Sequence, residues 1–243
     1  TTMKNRAIEP FYFDRPWSKH LKGKTVLIVH AFVPSIKCQL RRFDKLFENV
    51  NTLPAFKSKF VQMPQALGGR KPHGSYIETL EAVKNMIDNV GPFDVAILAA
   101  GAYAMPLAVY CKTKHMATAI AMGGGSQLLF GLKGHRWDTH SVLSKLYNSN
   151  WMYPLELDTP ENAKTIEMGG PYWGPKQNRY ETCPVEKMSA SYPTHFQIHI
   201  LTMNRDKSLR RLLDSLESSD YGGDSVGLHI HIDKSHDNGN CIQ

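Results

Sequence analysis

Two glycine turns, each directly after an apolar strand-like run, constrain this chain more than any other feature. Phe93 to Ala99 leads into Gly101-Ala102-Tyr103-Ala104, followed by a helix whose start is fixed by Pro106. Ala117 to Met122 then runs straight into Gly123-Gly124-Gly125. Small residues at a strand end let backbone amides approach a phosphate, so this order of strand, turn and helix is half of a nucleotide-binding unit.

The same alternation begins earlier. Thr25 to His30 is a β-branched run, and Ser35 is placed to cap a helix with Ile36, Leu40, Phe43 and Phe47 at helical spacing. Lys59 to Met63 reads as a second strand. Ser75 with Glu78 forms a capping box, and Ile77, Leu80, Val83 and Ile87 continue one apolar face until Gly91 stops it. The order predicts an α/β fold: a parallel sheet with right-handed crossovers and helices on both faces, with ligands outside the carboxyl ends of the strands. His30, Gly101 and Gly123 all lie there.

Beyond Asp138 the strand alternation ends, and Tyr147, Trp151, Tyr153 and a Thr159-Pro160 helix start lead to Trp173. Residues 174–195 are polar with three prolines and read as a linker between a domain spanning 1–173 and a unit spanning 196–243. That unit holds a strand from Phe196 to Thr202, a helix from Asp206 to Ser218 with Leu209, Leu212, Leu213 and Leu216 inward, and a strand from Val226 to Asp233. One βαβ unit of this length is near the limit of a self-sufficient core, so it is expected to pack on the first domain, to borrow a partner or to be the start of a truncated domain, the last being favoured.

No apolar run approaches the roughly 18 to 20 residues that cross a bilayer, and Thr1 to Lys24 is too polar for a signal-peptide core. Cys38, Cys111, Cys183 and Cys241 are scattered, which suggests neither a disulfide framework nor a zinc knuckle; a soluble chain in a reducing, cytoplasmic compartment is expected. Of the net charge of +7, residues 1–50 carry ten Lys/Arg against four Asp/Glu, a balance of +6. Without a basic run interleaved with aromatics this reads as a solvated face rather than a nucleic-acid site.

The turn at Gly101 departs from the dinucleotide fingerprint, since Ala104 and Met105 stand where further glycines belong. After the next strand, nicotinamide and methyl-donor sites place an acid for the ribose, and this chain has Gly123 to Gly125, which weighs against a dehydrogenase or an S-adenosylmethionine-dependent methyltransferase. Ser126, Gln127, Lys133, His135, Arg136 and Trp137 follow, offering forked donors for a diphosphate and a ring for stacking. His30 is either a general base or a hydrogen-bonded core histidine, and Asp138, Glu156 and Asp158 are candidate acids. His229 and His231 share a strand face near Asp233, His236 and Asp237, but a third ligand at fixed spacing is not evident, and no metal site is assigned.

Residues 17–173 resemble a domain of multi-domain polysaccharide-building proteins of bacteria, algae and large algal viruses. The landmarks are Leu21-Lys22-Gly23-Lys24, Ser35-Ile36, Phe93-Asp94-Val95-Ala96, Gly101-Ala102-Tyr103, Gly123-Gly124, Gln127 to Gly131, Arg136-Trp137-Asp138, and Asn148 with Trp151 and Pro154. The resemblance implies a Rossmann-like glycosyltransferase domain. A nucleoside-diphosphate sugar would be held by Gly101, Ala102, Tyr103, Gly123, Gly124, Gly125, Gln127, His135, Arg136 and Trp137, and His30 or Asp138 would deprotonate a glycan acceptor. The tail, from His199 to Arg205 with Leu209 to Leu216 and His229 to Asp233, looks like the opening βαβ of a GT-A glycosyltransferase, whose nucleotide contacts match Thr202, Asn204 and Asp233. The Asp-x-Asp metal motif is absent, leaving any divalent metal requirement open. The rival readings are a non-catalytic nucleotide- or glycan-binding module beside a neighbouring catalytic domain and, despite the missing ribose acid, an S-adenosylmethionine-dependent methyltransferase.

Overall fold

The computed structural model describes residues 8–65, 71–166, 169–184, 196–202, 206–217 and 226–232. The chain divides into two compact units, Thr1–Lys187 and Met188–Gln243. Unit 1 is an α/β, Rossmann-like domain. Its parallel sheet has the order β2-β1-β3-β4, formed by β1 (Thr25–His30), β2 (Lys57–Gln62), β3 (Val95–Ala99) and β4 (Thr118–Ala121). The central strands β1 and β3 are almost wholly buried, as their near-continuous apolar runs require in a sheet covered on both faces. His30 is in register with Gln62 on one side and Ala99 on the other, so three strand ends are level at the carboxyl edge.

Alternate residues of β1 enter two different cores. Leu27 and Val29 pack with α2 (Tyr76–Asn89) and α3 (Ala104–Lys114), through Leu80, Val83, Ile87, Leu107 and Cys111. Val26 and Ile28 face α1 (Val33–Leu40), α4 (Gly125–Leu129) and a layer of short 3-10 turns and loops carrying Phe130, Trp137, Trp151 and Trp173. The capping box of α2 is present in altered form: Ser75 Oγ accepts from Glu78 N (3.1 Å), while Glu78 Oε2 reaches Gly74 N (2.9 Å).

Helix α1 differs from the sequence expectation. Ser35 does not cap it but lies inside its first turn, fully buried, with its amide and hydroxyl both donating to the Asp158 carboxylate. The helix ends at Leu40, so Phe43 and Phe47, spaced as if helical, lie beyond it and pack on the core from the following 3-10 turn and loop.

Residues 174–184 are not a free linker. Arg179 pairs with Glu156 (3.1 Å) and donates to Gly174 O (2.7 Å), Glu156 N donates to Tyr180 O (3.0 Å), and Cys183 is disulfide-bonded to Cys38 of α1. The pair lies 145 residues apart in sequence, a separation no cysteine spacing signals. It removes the ground on which a reducing compartment was expected, since such bonds persist in oxidising ones. Among the described residues no helix is long and apolar enough to cross a membrane.

Unit 2 pairs β5 (Phe196–Thr202) and β6 (Val226–Ile232) in parallel, connected through α5 (Asp206–Glu217). Leu209, Leu213 and Leu216 of α5 are half-buried, whereas Leu212, expected inward, is 44% exposed.

Candidate functional site

Sheet order 2-1-3-4 reverses direction between β1 and β3, and the carboxyl edge there is where such folds bind ligands. Gly101 opens the turn after β3 with φ +53°, and Gly123 opens the turn after β4 with φ +58°. At both positions the missing Cβ would meet no protein atom within 4 Å, so the glycines serve conformation and leave the space before the backbone open. Ala102 is exposed between them, and the Tyr103 ring stacks on Tyr76 at 4.4 Å, whose hydroxyl donates to Ala102 O (3.2 Å).

The other two glycines of the triplet are used by the protein itself. A Cβ at Gly125 would come 2.9 Å from Glu9 Oε1, so the Glu9 carboxylate occupies the ground expected for a ligand anion. Gly124 faces the Trp137 indole, which sets the Arg136-Trp137-Asp138 turn against the glycine turn. Much of the motif that suggested a ligand is therefore architectural. Gln127, 2% exposed, donates from Nε2 to Lys133 O and Tyr172 O, both at 2.8 Å. Phe130 is wholly buried, and Gly131 (φ +67°) has Leu46 and Gln39 packed where a Cβ would be. Asn148 and the Trp151 indole donate to Leu46 O (3.3 and 2.7 Å), fastening the 3-10 layer to the segment after α1.

His30 departs from the expected general base. It is 5% exposed, and its Nδ1 accepts the Phe32 amide (2.9 Å), which uses the ring's lone pair and puts the proton on Nε2. Burial lowers its pKa to about 3, so the imidazole stays neutral and can donate but not take up a proton at neutral pH.

Asp138 is set differently. Its Oδ2 accepts from Tyr153 OH (2.8 Å) and lies 3.0 Å from His135 Nδ1, leaving Oδ1 without a partner among the described residues. Burial first, and then the Asp138 carboxylate, push the Tyr153 phenol upward, so it remains a donor. Arg136 is exposed, its guanidinium 5.0 Å from the Trp137 ring and 5.4 Å from that of Tyr172, held by stacking.

Asp158, a candidate acid in the sequence, is a joint. Its carboxylate takes both donors of Ser35, whose Oγ accepts Leu155 N (2.9 Å), while its carbonyl accepts from Trp173 Nε1 and Gln65 Nε2. Burial raises its pKa to about 6 against the opposing Ser35 hydrogen bonds. Glu156 is committed to Arg179.

No local pattern signals the cleft of about 350 Å³ between the 3-10 layer and residues 177–180, bordered by Lys133 and Tyr153. Tyr153 shares one ring between this cleft and Asp138. In unit 2, Thr202 ends β5 opposite Ile232, whereas Asn204 and Asp233 lie outside the described residues, as do His236 and Asp237. Among the described residues no cluster of His, Cys, Asp or Glu is arranged to hold a metal. Family models, curated proteins and solved structures give no match to this chain.

Proposed function

We propose that unit 1 binds a nucleoside-diphosphate sugar at the carboxyl edge of its sheet and transfers the sugar to a hydroxyl of a glycan acceptor. The observation that carries this reading is the pair of open, positive-φ glycine turns at the ends of neighbouring strands β3 and β4. Bare backbone at both turns leaves room for an anion to approach, with Gly123 N itself tied to Leu98 O (3.3 Å) and Tyr103 N to Ala100 O (3.0 Å). Arg136, held over Trp137 beside the second turn, is the cation for the leaving diphosphate. Asp138 is the base: Oδ1 takes the acceptor's proton as its oxygen bonds to the anomeric carbon and the bond to the diphosphate breaks. His30 takes no part as a base, because its lone pair is occupied.

Calorimetric titration with uridine, guanosine and adenosine diphosphates tests the site. At least one is expected to bind, and Gly123→Val is expected to abolish that binding in a folded protein, because a β-branched residue is strained at positive φ. Asp138→Asn is expected to leave diphosphate affinity unchanged and to lower sugar transfer by about 10² to 10⁴-fold, the usual worth of a general base. A folded wild-type protein that binds no diphosphate overturns the proposal. The occupied lone pair of His30 favours the second reading, a binding module without turnover, which predicts diphosphate binding with no transfer.

A further inference from the structure

The cleft of about 350 Å³ is within the size range of small-ligand sites (roughly 300–1,000 Å³) and is walled by chemistry the nucleotide reading does not use. Lys133 reaches it from a segment held to Met152 by Lys133 N donating to Met152 O (2.7 Å). Its ammonium lies over two rings, 5.3 Å from Tyr147 and 6.0 Å from Tyr153, and has no carboxylate partner among the described residues. The second cation, Arg179, is neutralised by Glu156 at 3.1 Å and fixed on Gly174 O. Lys133 is therefore the uncompensated charge of the cleft. The remaining walls are the exposed amides of Gln177 and Asn178, the Tyr180 ring, 49% exposed, and the buried residues Trp151 and Met152. Amides suit sugar hydroxyls, aromatic faces suit the C–H faces of a pyranose, and a lysine among rings suits one anionic substituent. With one uncompensated cation among the described lining residues, the cleft suits a single negative charge better than a di- or triphosphate.

We infer that this cleft binds an acidic sugar residue of the glycan acceptor, its anion, a carboxylate or a sulfate ester, paired with Lys133. Tyr153 both lines the cleft and donates to Asp138 Oδ2 (2.8 Å), so the cleft and the proposed base share one side chain. The inference rests on the transfer reading for its word acceptor, and on the cleft alone for the acidic sugar.

The test titrates the intact chain with tetragalacturonate, a sulfated galactose tetrasaccharide and neutral galactotetraose, followed by calorimetry. One acidic probe is expected to bind, and which one identifies the anion. The neutral probe is expected to be at least about tenfold weaker, as is the acidic probe on Lys133→Met, one lost charge-assisted contact each. Lys133→Arg is expected to keep acidic binding. Equal affinity for neutral and acidic probes, unchanged binding in Lys133→Met, or loss in Lys133→Arg equal to that in Lys133→Met overturns the inference. Should Lys133→Met fail to fold, the wild-type comparison of probes decides. Diphosphates titrated into the same samples keep the readings apart: acidic-sugar binding without any diphosphate binding supports the cleft and overturns the transfer reading.

Discussion

The two faces of the unit 1 sheet are covered by layers built on different principles. One face carries α2 and α3, regular helices whose apolar positions meet Leu27, Val29 and Leu98. The other carries α1 and a run of 3-10 turns, in which orphaned backbone carbonyls are satisfied by side chains: Gln39 on Gly131 O (2.6 Å), Gln127 on Tyr172 O, Trp151 on Leu46 O and Trp173 on Asp158 O. A helix satisfies its own backbone, whereas an irregular layer must borrow donors from buried polar side chains. Candidate chemistry gathers on the irregular side, with Asp138, Arg136, Lys133 and the cleft. On the helical side the polar groups form a lock between α2 and α3, where Asp88 meets Tyr110 (2.8 Å), Lys114 (2.6 Å) and His115 (2.9 Å).

The widest gap between the faces is expected from the disulfide, which ties residues 174–184 to α1. Cys183→Ser is expected to lower stability by roughly 2–4 kcal/mol, the usual worth of a native bridge, and to speed hydrogen exchange of the Trp151 and Trp173 indoles while leaving the amides of α2 unchanged. Equal acceleration on both faces would break the contrast.

A smaller, pH-dependent difference is expected from Asp158. Its folded pKa, about 6, stands above the unfolded value of 3.8, so the folded chain binds the proton more tightly. The stability from this group is present in full below pH 4 and lost as pH rises through 6, roughly 3 kcal/mol in all. Denaturant titrations at pH 4 and 7 are expected to show that loss in the wild type relative to Asp158→Asn, where the residue cannot ionise. Parallel pH profiles for the two proteins would remove Asp158 from the account of the irregular layer.

The smallest effect is expected on the helical face. Asp88 is held below the usual carboxylate range first by its hydrogen bond to Lys114, yet the network is partly exposed and screened. Asp88→Asn is expected to leave the denaturation midpoint within measurement scatter, and a large loss would show that the helical face also depends on polar joints.

The helical face was legible from sequence because its signals are local. Period 3.6 along Leu80, Val83 and Ile87, a capping serine and the apolar runs of β1 and β3 each act over a few residues, although Ile77, expected on the same face, is 61% exposed in the first turn of α2. The irregular face was misread wherever its partners were distant: Ser35 looked like a cap because its partner Asp158 is 123 residues away, and Gly125 looked like a phosphate turn because Glu9 is remote in sequence. Gln127 was noticed as a motif residue, but only its two carbonyl partners reveal that it supports the layer. Lys133 is one of several cationic groups after the glycine triplet in the sequence, and only its place over the Tyr147 and Tyr153 rings sets it apart.

The sequence by itself determined the order of strands and helices in unit 1, the parallel sheet and the two glycine turns at its carboxyl edge, because periodicity and positive-φ glycine are properties of short stretches of chain. Only the tertiary structure decided the rest. It joined Cys38 to Cys183, neutralised His30 by burial and laid Glu9 over Gly125. It also opened a cleft beside Asp138. Those outcomes depend on which distant side chains meet and how much water is excluded from them, and neither quantity is written into neighbouring residues.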